Sequence, residues 1–204
     1  AMRVYQIEEK LYGRGDREFL ERVFQKLLIN FTWWVNRKDS EGNNIFEGGF
    51  LGLDNVSVFD RTAGLPGGGR LEQADGTSWM AMYCLNMLGI TLELAKEDPV
   101  YEDIATKFFE HFVYIGAAVN HAGQHGSGLW SEAQGFYFDL LKMPDGRCCQ
   151  IDAFTIAGLI PLLAIAVGDA ESFRGFRDFR ERFAWFVQNR PELLGNLADL
   201  THRG

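Results

Sequence analysis

Clustered positive charge is missing from this chain. No run of lysine or arginine occurs and the formal net charge is -8. Nucleic acid and anionic membrane surfaces are therefore poor partners, because both are recognised through clustered cations. Cysteine is scarce as well: Cys84, Cys148 and Cys149 make an odd number, without the spacing of a zinc site or a redox motif, and read as reduced structural thiols. No apolar run approaches the roughly twenty residues needed to cross a bilayer, and no charged leader opens the chain, so no membrane partner and a cytoplasmic location are expected. Gly64-Leu65-Pro66-Gly67-Gly68-Gly69 is not a phosphate loop, since neither a lysine-serine pair nor a strand accompanies it. His121 and His125 have the separation of a helical metal pair, but Gly123 and Gly126 end the helix between and behind them. No metal and no cofactor are expected.

What is present is enough apolar material for one substantial core: 204 residues, 47% of them hydrophobic. A single domain spanning 1-204 is the expectation. Asp16 can cap a helix with Phe19, Leu20, Val23, Phe24, Leu27, Leu28, Phe31, Trp34 and Val35 at helical spacing. Ser78 to Lys96 is apolar almost all round, the mark of a helix buried on most sides. Asp98-Pro99 then signals a third helix, and its apolar face runs from Ile104 to Val119. Ala153 to Val167 is apolar nearly throughout and is expected to be a second buried helix kinked at Pro161. Phe173, Phe176, Phe179, Phe183, Trp185 and Phe186 line a last, amphipathic helix that ends before Pro191.

Two long irregular connections separate these helices. Asp39 to Asn44 is turn chemistry without the spaced ligands of a calcium loop. Phe46 to Trp79 is glycine-punctuated and carries Glu47, Asp54, Asp60, Glu72 and Asp75 among Phe46, Phe50, Phe59 and Trp79; Asp60-Arg61 suggests a local ion pair. Asn120 to Gln150 holds Pro144-Asp145-Gly146 and is expected to form a hairpin or ribbon. The links after each buried helix are short and those before it long, so antiparallel neighbours would bring both long loops to one end. An all-α partial α/α toroid, an incomplete (α/α)6 barrel with long rim loops, accounts for that alternation.

The rim residues carry a resemblance. Phe46-Glu47-Gly48-Gly49-Phe50-Leu51-Gly52-Leu53-Asp54-Asn55, Leu71-Glu72-Gln73-Ala74-Asp75-Gly76-Thr77-Ser78-Trp79, and Leu129-Trp130-Ser131-Glu132 with Gly135-Phe136-Tyr137-Phe138-Asp139 are similar to the catalytic region of glycoside hydrolase family 63. The three blocks in this order are more specific than any one alone, and the bacterial, uncharacterised branch looks nearest. The resemblance implies an (α/α)6 barrel that hydrolyses α-glycosides of gluco- or manno-configuration with inversion. It makes Asp54, in Gly52-Leu53-Asp54-Asn55, the general acid, and puts the general base beyond the C-terminus of this chain. It makes the chain part of a larger barrel, as Ala1-Met2 and Thr201-His202-Arg203-Gly204, which look like cut ends, also suggest. From Ile151 to Ile156 the sequence departs from the family's basic pattern.

Chemistry agrees with that transfer. Inverting hydrolysis needs a protonated carboxyl beside the leaving oxygen and a carboxylate roughly 6.5–9.5 Å away to activate water. Phe50, Leu53 and Phe59 offer Asp54 an apolar surrounding that keeps a carboxyl protonated. Phe50, Trp79, Trp130 and Phe136 offer faces for a sugar ring, while Asn55, Gln73, Asp75 and Glu132 offer bonds to its hydroxyls. The expected partners are a carbohydrate substrate and, through the bare flanks of the buried helices, a second copy or the remainder of the barrel. The alternative from another class is a non-catalytic helical binding or interaction module.

Overall fold

The computed structural model describes residues 1-36, 44-46, 52-53, 55-61, 65-121, 128-167 and 173-193. Among them, mainly helical structure is interrupted by short strands: α1 (Met2–Tyr12), α2 (Arg17–Val35), β1 (Arg70–Glu72), α3 (Ala74–Ala95), α4 (Val100–His121), β2 (Trp130–Ser131), β3 (Phe136–Tyr137), β4 (Leu140–Lys142), β5 (Cys148–Gln150) and α5 (Arg177–Asn189). No described helix is long and apolar enough to cross a membrane. The chain divides into two compact units, the first made of Ala1–Asn36, Tyr83–Phe112 and Ala166–Pro191, the second of Arg37–Met82, Val113–Ile165 and Glu192–Gly204.

The first unit is built by apolar helix faces. Asp16 caps α2 as its sequence requires, its Oδ1 accepting the Phe19 N–H at 2.8 Å. The helix then buries Leu20, Phe24 and Phe31, which recur on one face. Phe31 meets Tyr83 and Phe108 edge to face with ring centroids 5.5 and 5.0 Å apart, and Phe24 meets Phe108 the same way at 6.4 Å. Such pairs contribute beyond their buried area because the edge of one ring meets the π-face of the other. Phe109 packs against Phe179, Phe183 and Phe186 of α5. That last helix has no side-chain cap of its own, and the buried Glu102 supplies one from α4, accepting the Phe179 N–H at 3.0 Å. Trp185, expected in the core stripe, is 59% exposed, since it neighbours the buried Phe186 and so points about 100° away from it.

In the second unit the two long connections are stitched together by an antiparallel sheet of order β1-β4-β5. Leu71 of the first connection pairs with Leu141 of the second, and Leu141 in turn with Cys149. Pro144-Asp145-Gly146 turns β4 into β5, Gly146 taking a φ of 85° that other residues resist. The ribbon expected of the second connection is thus present, as the hairpins β2–β3 and β4–β5. Strand β1 and helix α1 carry too few apolar residues in too short a pattern to stand out by periodicity.

Two sequence expectations change. Helix α3 starts at Ala74 rather than Ser78, because its first turn is capped from far away: Asp139 Oδ1 accepts the Ala74 N–H at 2.9 Å. The buried helix expected over Ala153 to Val167 does not form. Ile156–Leu163 is instead a 3-10 stretch whose Ile156, Leu159, Leu162 and Leu163 are exposed. Pro161 lacks an N–H and crowds the carbonyl of an α-helical turn, which favours the tighter, shorter spiral. Its Gly158 is pressed against the β2–β3 hairpin, where a Cβ would lie 2.2 Å from both Phe136 Cε1 and the Tyr137 carbonyl oxygen.

Candidate functional site

The second unit has a charged centre. Arg61 is buried, its side chain wholly so, and faces two buried aspartates. Toward Asp75 the guanidinium makes a fork: Nη1 donates to Oδ2 at 3.1 Å and Nη2 donates to Oδ1. Toward Asp139 it presents its side: Nη2 donates to Oδ1 at 3.2 Å, and Nε lies 2.9 Å from Oδ2 as an ion pair not aligned for a hydrogen bond. Nη1 also donates to the carbonyl of Leu53 at 3.1 Å. The two terminal nitrogens thus make four hydrogen bonds while Nε contributes only its charge, a directed set that a lysine ammonium with three donors cannot reproduce.

One cation between two carboxylates leaves the cluster a net negative charge. Burial pushes the Asp139 carboxyl above its usual range, against the pull of Arg61 and of the Ala74 N–H. Burial also works against the charge on Arg61, but Asp75 and Asp139 overcome it and hold the guanidinium above its ordinary value. Around this centre Gln73 Nε2 donates to the Arg61 carbonyl at 3.3 Å, while its Oε1 has no hydrogen-bond partner among the described residues. Thr77 Oγ1 accepts the Phe46 N–H at 3.1 Å and donates to the Gln73 carbonyl at 2.8 Å, anchoring the start of the first long connection to α3.

Several residues singled out by sequence take other places. Asp75, expected to bond sugar hydroxyls, is buried with both oxygens on Arg61. Arg61, expected to pair with its neighbour Asp60, directs its guanidinium to the buried Asp75 and Asp139, while Asp60 is exposed. Gln73 is buried beside that pair rather than presented to a ligand. The ring of Phe136, expected to face a sugar, packs on Phe138 and Phe154 at 5.2 and 5.0 Å. Asn55 and Glu132 are exposed and Trp79 is half-buried. Trp130 is half-buried opposite Tyr137 in the β2–β3 register, their ring centroids 4.7 Å apart. The two rings are tilted 58° to each other and both are half-buried. Asp54, Phe50, Glu47 and His125, and the turn from Asp39 to Asn43, lie outside the described residues.

Among the described residues no group of histidine, cysteine and acidic side chains could hold a metal ion. An open depression of about 590 Å³, lined by Glu8, Tyr12, Arg14, Gly15, Asp16 and Arg17, belongs to the first unit and contains none of the candidate residues. Sequence reasoning missed the parts of Arg61, Asp139 and Tyr137. The signal for the first was an arginine set inside the acid-bearing first long connection; the 78 residues between Arg61 and Asp139 leave no spacing rule to connect them.

Comparison with known proteins finds one informative match. The chain is 52% identical, over 214 aligned residues and 99% of its own length, to the uncharacterized protein YMR196W of Saccharomyces cerevisiae. It spans 20% of that protein's length, about a fifth. No protein-family profile matches the chain, and no solved structure matches it.

Proposed function

We propose that this chain is part of an inverting α-glycosidase, a segment of an (α/α)6 catalytic barrel that hydrolyses gluco- or manno-configured α-glycosides. Asp54 serves as the general acid, and the water-activating base comes from outside these 204 residues. One observation carries the reading. The three sequence blocks that resemble glycoside hydrolase family 63 meet at a single side chain, since Arg61 reaches Leu53 of the first, Asp75 of the second and Asp139 of the third.

Both long connections also fall in one compact unit and share one sheet, the arrangement a functional rim built from loops of a partial α/α toroid requires. Trp130 and Tyr137 supply an apolar face beside it, while exposed Asn55 and Glu132 supply polar contacts. The acid needs partial desolvation, and half-buried Leu53 and Phe59 flank it in sequence.

The test incubates the full-length gene product and its Asp54→Asn variant with aryl α-glucosides and α-mannosides, following the anomer of the released sugar by NMR. The expected result is release of the inverted, β-configured sugar, with kcat on substrates that need acid assistance at least about a hundredfold lower in the variant. Absence of turnover on both sugar series, retention of configuration, or an unimpaired variant would overturn the proposal.

A further inference from the structure

The 3-10 stretch of the second unit is turned inside out. Its buried residues are two of the smallest, Ala157 and Gly158, and Gly158 lies so close to the β2–β3 hairpin that no side chain fits there. The large residues stand elsewhere: Phe154, Ile156, Leu159, Leu162, Leu163 and Ile165 are 48 to 72% exposed. In a helix of three residues per turn the side chains at i and i+3 eclipse, so Ile156, Leu159 and Leu162 form one straight apolar ridge. The stretch is also tied down. Thr155 Oγ1 accepts the Ala157 N–H at 3.2 Å, and the Phe154 ring packs on Phe136 and Phe138 at 5.0 and 5.2 Å. A tethered backbone that turns its small residues to its own unit presents the large ones to something else.

We propose that this ridge is the surface through which the second unit docks, permanently, on an apolar face of the same polypeptide outside these 204 residues. The proposal rests on the reading above only in taking the chain as a segment of a longer one. No charged residue occurs from Ala153 to Val167, which suits an obligate interface and not a transient one, whose rim is polar. A membrane surface is a poorer occupant, because no lysine or arginine lies between Arg147 and Arg174 to meet anionic lipid. In the yeast relative the matched stretch is 20% of the polypeptide, so four-fifths of that protein is there to cover the corresponding ridge. A face on the same chain is met at an effective concentration of roughly millimolar, which favours it over a second copy.

The experiment uses the full-length gene product grown with photo-leucine, a near-isosteric diazirine analogue, as a mixture of light- and heavy-isotope copies that is irradiated and mapped by mass spectrometry. The expected result is cross-links from the peptides holding Leu159, Leu162 and Leu163 to peptides outside these 204 residues, light to light and heavy to heavy only. Mixed light–heavy links would make the occupant a second copy, and links confined to these residues would make it the segment's own surface; either overturns the proposal. The second readout is maleimide labelling of Ile165→Cys in the full-length protein. It should run at least about a hundredfold slower in the folded protein than in urea, at protein concentrations about a hundredfold apart. Labelling as fast as in urea, or protection that vanishes on dilution, would overturn the proposal. Should Ile165→Cys fail to fold, the photo-leucine map decides alone. No readout involves a sugar: glycoside turnover with a bare ridge would keep the glycosidase reading and end this one, and a covered ridge without turnover would do the reverse.

Discussion

The first unit is held by rings and the second by a charge cluster, and the two kinds of cohesion fail differently. In the first, Phe24, Phe31 and Phe108 bury apolar area in edge-to-face pairs, a non-directional attraction that tolerates a changed shape if volume is kept. In the second, Arg61 answers two carboxylates and a carbonyl, and every contact depends on direction. Removing one partner there strands the others without water. The lesson is that the unit with the candidate site is specific at the expense of tolerance, while the other is a scaffold.

The largest effect should come from breaking the cluster. Arg61→Gln leaves Asp75 and Asp139 buried side by side without a cation and is expected to cost about 3–5 kcal/mol. Phe108→Leu, equally buried but apolar, should cost only about 1–2 kcal/mol, since most of the packed volume stays. Urea denaturation of both variants checks the contrast. A Phe108→Leu protein less stable than Arg61→Gln would reverse it.

A smaller effect sharpens the comparison inside the second unit. Gly158→Ala would place a Cβ 2.2 Å from the Tyr137 carbonyl, and backbone cannot move aside as a side-chain tip can. The expected loss is about 1–3 kcal/mol, the usual cost of overpacking. The β2–β3 hairpin should carry the strain, which near-ultraviolet dichroism of the Trp130–Tyr137 pair would register. An unchanged spectrum and stability would mean that the 3-10 stretch does not brace the hairpin.

Legibility from sequence follows the same division. Rings at helical spacing announced α2, α3, α4 and α5, because apolar periodicity is a local signal and apolar packing obeys it. Asp16 and Asp98 marked two helix starts correctly, each capping a residue within three positions. The start of α3 was misread by four residues because its cap, Asp139, sits 65 positions away. The stretch from Ile156 to Leu163 was misread because an apolar run of that length does not separate a buried helix from a 3-10 segment once proline interrupts it. At the site, residue types are legible in the sequence and partners are not: nothing local links Asp75 to Arg61, 14 residues away.

The smallest expected effect is a slope with pH. The Asp139 carboxyl is surrounded by the Arg61 guanidinium, the Ala74 N–H and the Asp75 carboxylate, and burial leaves it titrating above its usual range in the folded chain. As pH rises, the unfolded chain therefore gives up this proton first, and the folded chain binds more protons until its own raised value is passed. The stability due to this group is complete below the ordinary carboxylate range and is lost as pH climbs through the folded value. Asp139→Asn cannot titrate, so the stability of wild type minus that of the variant should be greatest near about pH 3 and shrink toward about pH 7. Urea midpoints measured for both proteins across that window test the sign. If the variant instead loses ground as pH rises, the attraction to Arg61 outweighs burial, and the cluster stabilises the second unit through charge rather than through the directions of its bonds.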